Sequence, residues 1–425
     1  MTASNTATLP GVEPKAVAFP LFPLYVFWVL VTWDLDQFLT AKTGAPFYRI
    51  PLLLLPVLGV AIPARGGMRV IHWPLVIFVA MHAVAGIFAE NAGLARDALK
   101  TMLYMLVLFA STAALIDTPA RMFVILRIYF WHFIWFGVQG IPSGLVSWHP
   151  LLANEDSYGP LMVMAMPIAF FFGVGTTSPR WRWLARGTFL LAVLGLVTSF
   201  ARGAALSAGV VLLFIIARSP RPGRALLGLL LAALVLLPIA ALVVPLDEYI
   251  AEIQSSAEGD DTRTAIWGIA YTVFRSSPIY GVGAFNFGPV ASQIVEPDPT
   301  RVKGADPAQL YMLWTHNAAM QILAEEGVIG IVLWILMVLA FFRWNARLRR
   351  PDAVARWTAL GGGAMDLRSV SLALEGAMIG WLASSVFYNQ IYLHWFWSLL
   401  TLSYTLALLV APATERPGTT TRVAT

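Results

Sequence analysis

Apolar residues along this chain come in long unbroken blocks, such as Ala225–Pro245 and Gly327–Phe342, separated by short polar stretches. Blocks of about 17–25 apolar residues are what a helix needs to cross a bilayer. The alternating pattern of a membrane strand barrel is missing. The blocks predict twelve spanning helices near 17–33, 47–63, 72–89, 98–116, 122–141, 159–175, 187–201, 204–217, 225–245, 317–342, 370–387 and 393–411. The second, seventh and eighth are short, so tilting or pairing is expected there. The expected fold class is therefore an all-α polytopic membrane protein. Residues 246–316 form one long loop between the ninth and tenth spans, whereas the other loops on that side hold about 20 residues or fewer. Helical patterning is predicted within it at Leu246–Ser256 and Thr262–Arg275, the second with Ile266, Trp267, Ile269, Ala270, Val273 and Phe274 apolar. A turn follows at Ser277-Pro278-Ile279-Tyr280-Gly281-Val282-Gly283. The expected organisation is nine spans in 1–245, the loop 246–316, three spans in 317–411 and a tail, 412–425.

Composition agrees with this reading. The chain is 58% hydrophobic and 12% charged, against roughly 25% charged in ordinary soluble domains. Charge then orients the spans, because basic residues collect on the cytoplasmic side. With the N-terminus inside, the inside segments hold 18 of the 28 basic residues and five acids. The outside segments hold nine basic residues and 17 acids. Both termini are expected in the cytoplasm and the long loop outside. The net charge of +5 thus reflects membrane sidedness, and no nucleic-acid partner is expected. The absence of cysteine excludes disulfides, thiolate metal sites and a cysteine nucleophile. The first 16 residues lack the basic start and small-residue cleavage site of a cleavable signal peptide.

Candidate chemistry gathers at the outer ends of the spans. His316 opens the tenth span, followed by Asn317, and an imidazole with a pKa near 6.5 suits proton transfer around neutrality. If the helix is continuous, Gly327 falls about 20° past three full turns from His316, about 16 Å along the axis. Gly330 then lies on nearly the same face, and the two glycines would let a neighbouring helix pack closely beneath the histidine. On that helix Glu325 and Glu326 point elsewhere and are poor candidates to orient the imidazole. The bland alternative is that Thr315 or Asn317 caps a helix and His316 sits at the interface by chance. Arg202 stands between two apolar spans, where an arginine is costly and by default suggests a site; the alternative is snorkelling to lipid phosphate. Arg263 falls in the first turn of the loop helix, capped by Asp261 or Thr262. It opposes the helix dipole there unless an anion binds. The alternative is a surface pair with Asp260 or Asp261. Two guanidiniums beside an imidazole favour its neutral, proton-accepting form.

Other groups fit less well. Asp34 and Asp36 lie about 200° apart on a helix and chelate a metal only if a turn intervenes. The remaining histidines, His72, His82, His132, His149 and His394, show no ligand spacing. Glu375 and Arg127 sit near cytoplasmic span ends, where an inside polar contact is expected. Trp148, Tyr158, Trp314 and Trp395, on the outer side, are candidates for stacking on sugars. No nucleotide-binding glycine loop is present, and no cofactor is implied.

At these residues the chain resembles the O-antigen ligase and polymerase superfamily of bacterial envelope enzymes. The ligase motif is His, then Asn, Ser or Gln, nine residues, Gly, two residues, then Gly, Thr or Tyr; His316, Asn317, Gly327 and Gly330 meet every position. Arg202 and Leu206 match the Arg-x-x-x-Leu pattern, with Ala201 where Ser is common. Arg263 with Trp267 resembles the family's loop arginine, and a Pro-x-x-Gly-x-Gly turn follows at Pro278, Gly281 and Gly283. The resemblance implies a metal-independent, inverting glycosyltransferase of the bacterial inner membrane, with its active site on the periplasmic face. The implied donor is a glycan on undecaprenyl diphosphate; the implied acceptor is lipid A-core, which would place the chain in lipopolysaccharide biosynthesis. Arg202 and Arg263 would bind the diphosphate and His316 would deprotonate the acceptor hydroxyl. Asn317 and Trp314 join the expected substrate-binding set. A glycan polymerase, a protein O-oligosaccharyltransferase and, in a different class, a transporter remain open alternatives.

Overall fold

Helices occupy all twelve of the segments whose apolar blocks announce them. The computed structural model describes residues 21–45, 50–61, 72–143, 145–149, 152–153, 155–243, 262–294, 311 and 313–412. The helices there are α1 (Phe22–Trp33), α2 (Leu35–Thr43), α3 (Ile50–Ala61), α4 (Trp73–Ile87), α5 (Ala92–Leu115), α6 (Pro119–Gly140), α7 (Glu155–Gly175) and α8 (Pro179–Thr198). They continue with α9 (Arg202–Arg218), α10 (Pro222–Val243), α11 (Thr262–Ser276), α12 (Phe287–Ile294), α13 (Ala318–Leu348), α14 (Pro351–Ala359), α15 (Leu367–Ser384) and α16 (His394–Leu409). Four of the described helices are long and apolar enough to cross a membrane: α5, α6, α7 from Ser157, and α13. Helix α8 begins well before its apolar block because the polar sequence Pro179-Arg180-Trp181-Arg182 continues the same helix. The predicted loop helix Thr262–Arg275 corresponds to α11; the one expected at Leu246–Ser256 lies outside the described residues.

Local chemistry sets the helix starts. Asn91 accepts from Gly93 N and Leu94 N at the head of α5, Asn317 from Met320 N at α13, and Asp366 from Ser369 N at α15. Such caps satisfy amides that no intrahelical carbonyl can reach. Pro119 and Pro179 occupy first helical positions, where their missing N–H costs nothing.

Helix α7 is the centre of the bundle, buried without a break from Tyr158 to Ala169 and packed against α8, α9 and α15. Tyr158 and Trp395 are fully buried in this core, so neither stacks on a sugar as expected; Tyr158 instead donates to Gly137 O at 3.1 Å. A smaller core joins Ile266, Ile269, Ala270 and Val273 of α11 to Phe287 and Ala291 of α12 and Ala324 of α13. Burying each of the larger side chains contributes about 1.5–3 kcal/mol, which docks α11 and α12 on the N-terminal end of α13.

The end opposite that dock carries the polar contact expected for Glu375. Its carboxylate pairs with Arg349, which also donates to Ser371 Oγ at 3.0 Å, and lies 3.5 Å from Arg218 Nη2. The Arg127 guanidinium lies over the Trp181 ring, 5.4 Å from its centroid. Arg218 and Arg349 close the C-terminal ends of α9 and α13, so the N-terminal ends that bear Arg202 and His316 face the other way.

Candidate active site

Helix α13 does not run unbroken from His316. His316 precedes the helix with φ +50°, in the left-handed region, and Asn317 is the cap. The helix then breaks at Gly327, where φ is 65° and ψ −162°. The expectation of one continuous helical face joining His316, Gly327 and Gly330 is therefore corrected. The break has a definite partner. The predicted turn at 278–283 enters it: Val282 N and Gly283 N donate to Ala324 O and Glu325 O at 3.1 and 2.9 Å. In return Val328 N and Ile329 N donate to Pro278 O and Ile279 O at 2.9 and 3.2 Å. The amides and carbonyls freed by the break are thus paired, as buried backbone requires. Approach is so close that a Cβ on Gly327 would lie 2.4 Å from Ile279 O, and one on Gly281 would lie 2.2 Å from Glu325 O. The motif glycine at 327 serves this backbone clasp.

The two acids before the break are buried, and Glu325 is hydrogen-bonded. Glu325 accepts from Phe287 N at 3.0 Å, capping α12, and from the Tyr392 hydroxyl. Glu326 faces His82 Nε2 at 3.4 Å.

The turn carrying His316 is pinned on both sides. Trp267 Nε1 of α11 donates to Thr315 O at 3.0 Å, and Gln321 Oε1 accepts from Thr315 N at 3.0 Å. Ala318 N donates to Ser385 O at 2.9 Å, and Asn317 Nδ2 to Val386 O at 3.0 Å. The Asn317 carboxamide is thus engaged at both ends, as cap and as tether. Left-handed backbone at a non-glycine residue costs about 1–3 kcal/mol and persists where its surroundings impose it.

Arg202 is the first residue of α9, and Phe200, two residues earlier, also has positive φ, at 53°. Ala201 supplies no side-chain cap, which is the structural meaning of alanine where serine is common. A Cβ on Gly203 would lie 2.6 Å from Phe387 Cβ and 2.8 Å from the Tyr388 hydroxyl, so α9 starts hard against the turn after α15. Arg263, in the first turn of α11, has its Cζ 5.9 Å from the centroid of the Tyr388 ring. Asp260 and Asp261, its alternative partners, lie outside the described residues. The segment Ser385–Tyr388 is therefore a common seat: it touches the His316 turn, the start of α9 at Gly203, next to Arg202, and Arg263. Sequence reasoning missed this seat, since its contribution is largely two carbonyls, and backbone oxygens carry no residue signature.

Trp314 is half-buried in an aromatic cluster, with ring centroids 5.5 Å from Phe285 and 6.4 Å from Tyr392. Asp34 stands at the turn between α1 and α2 with φ +47°. His149 Nε2 lies 3.0 Å from its carboxylate and His394 Nδ1 3.8 Å, so these histidines meet in space though not in sequence spacing. Among the described residues, no three side chains of the ligating types are placed to hold a metal ion. Burial pushes the Asp36 carboxyl up to about 7, with the Asp34 charge adding to the effect. Ionising it in the folded protein is therefore unfavourable, and stability is lost as pH rises from the unfolded pKa, near 4, through 7. Asp36→Asn is expected to raise the melting temperature at pH 8 and to change it little at pH 4, measured by thermal shift in one detergent.

Residues 187–335 match the family model described as O-antigen ligase. A search of curated proteins finds no match. The matched stretch contains Arg202, Arg263, the turn at 278–283 and the whole of His316–Gly330. Over that stretch the chain is similar to the O-antigen ligase family.

Proposed function

We propose that this protein is an O-antigen ligase, moving a glycan from undecaprenyl diphosphate to a hydroxyl of lipid A-core on the periplasmic face of the bacterial inner membrane. The family match supports the coarser reading, a membrane glycosyltransferase of the ligase and polymerase type. The observation that supports the finer one is the common seat: the start of α9 that bears Arg202, Arg263 and the His316 turn, far apart in sequence, all come to Ser385–Tyr388.

In this reading Arg202 and Arg263 bind the diphosphate. His316 takes the proton from the acceptor hydroxyl as its oxygen attacks the anomeric carbon. The bond from that carbon to phosphate breaks on the opposite side, so the configuration inverts without a metal ion. Undecaprenyl diphosphate leaves with its charge stabilised by the two guanidiniums. Trp314 flanks the sugar. Both termini lie in the cytoplasm and twelve spans carry the site, with the 246–316 loop outside.

Arg202→Ala and Arg263→Ala are each expected to lower the transfer rate by about 10²–10³-fold. Lysine at either position should recover only part of it, because a point charge lacks the bidentate fork. A transfer assay with purified lipid-linked donor measures this. The assignment itself is tested by lipopolysaccharide gel profiles of a deletion strain. Bare core alone is the ligase result; core plus one repeat would make the protein a polymerase. The helix break at Gly327 and the buried Glu326–His82 pair are the features a transporter reading would draw on. The break, however, is filled by the clasp rather than open to a solute. Solute uptake into proteoliposomes without glycan transfer would favour that reading.

A further inference from the structure

A cavity of about 630 Å³ lies between the α1–α2 turn, the N-terminal half of α5, residues 148–149 and the start of α16. Its size falls in the roughly 300–1,000 Å³ range of small-ligand sites. Its connection to the candidate base runs through aromatic rings. Phe285 and Tyr392 both line it with centroids 4.3 Å apart, and Phe285 meets Trp314, two residues before His316.

The lining has an unusual chemistry. Gln37 Oε1, Tyr104 Oη and His394 Nε2 are buried atoms without a hydrogen-bond partner in the protein, and all three residues line this one cavity. Such groups are costly unless something supplies the bonds. They stand with Asp34, Asp36 and His149, giving both donors and acceptors. Trp148 adds a fixed aromatic plane: its Nε1 donates to Gln139 Oε1 at 2.6 Å, and its ring is braced by Phe38 and Phe136 at 5.1 and 6.1 Å. Among the described lining residues stands Lys100, paired with Asp97 at 3.0 Å. A neutral, hydroxyl-rich ligand with an apolar ring face meets every feature.

We propose that this cavity is a sugar-binding pocket holding a glycan next to the candidate base. The proposal rests on the transferase reading and names where one of its substrates sits. The sugar belongs either to the acceptor or to the donor, and kinetics separate the two.

Two variants test it in the full-length protein. Tyr104→Phe removes only a hydroxyl that has no partner in the protein, so folding is preserved. Trp148→Ala removes the aromatic plane. With purified lipid A-core as acceptor, Tyr104→Phe should raise one substrate's KM several-fold and Trp148→Ala about tenfold or more, while the other KM stays constant. A rise for lipid A-core assigns the pocket to the acceptor, and a rise for the lipid-linked glycan assigns it to the donor. Unchanged KM for both substrates in folded variants overturns the proposal. A separate arm uses soluble core oligosaccharide and the donor's released repeat-unit glycan on the His316→Ala protein, read by saturation-transfer NMR. Signal from either that disappears in the Trp148→Ala double variant supports the pocket even if no transfer is ever detected, which would instead defeat the transferase reading. No signal from either glycan, together with unchanged KM values, leaves the cavity without a sugar and the proposal overturned.

Discussion

Replacing His316 with alanine is expected to lower glycan transfer by about 10²–10⁴-fold, the usual contribution of a positioned general base. The protein should remain folded. Its neighbours do the structural work of the turn: Asn317 caps α13 and bonds Val386, Thr315 bonds Trp267 and Gln321, and Ala318 bonds Ser385. None of these contacts uses the imidazole. The φ of +50° even makes His316→Gly the more native-like backbone, so that variant should match or exceed the alanine variant in stability while being equally inactive. Thermal shift and transfer by both variants, in parallel, form the check. Normal transfer by either would remove His316 from the chemistry.

The second large effect concerns the clasp. Gly327→Ala and Gly281→Ala are each expected to destabilise by several kcal/mol, enough to lose much of the folded protein. Positive φ alone, 65° and 73°, costs a non-glycine residue about 1–3 kcal/mol. The added methyl would also lie 2.4 Å from Ile279 O in one case and 2.2 Å from Glu325 O in the other. Relieving that contact means parting the turn from α13 and exposing four backbone hydrogen bonds. Gly268 on the exposed face of α11 is the control, since a Cβ there meets nothing within 4 Å. Gly268→Ala should be neutral or stabilise by about 0.5–1 kcal/mol through helix propensity. Melting temperatures of the three variants decide it; equal values would mean the clasp has no energetic weight.

The arginines and the histidine stand out as candidates in the sequence because a charge or imidazole beside an apolar block is costly. The helices were legible for the complementary reason, that apolar blocks of the right length have few other uses. The relation between His316 and Gly327 was misread, because register arithmetic assumes one unbroken helix. Whether the helix breaks depends on Pro278–Gly283, a segment far upstream whose fit to the gap has no local signature. Tyr158 and Trp395 were misassigned for a related reason: an aromatic near a span end looks the same in sequence whether it faces headgroups or the core. Asp34, His149 and His394 come from three distant segments, and only the fold brings them to one cavity.

The clasp also bears on the order of assembly. Its two halves, 278–283 and 324–329, are both present once α13 has emerged from the ribosome, and domains settle from the N-terminus as synthesis proceeds. The tethers from Asn317 and Ala318 reach Val386 and Ser385, which are made only after α14 and α15. A nascent chain stopped before residue 385 would thus hold the interlocked loop yet lack the tethers of the His316 turn, which arrive only once α15 has been made.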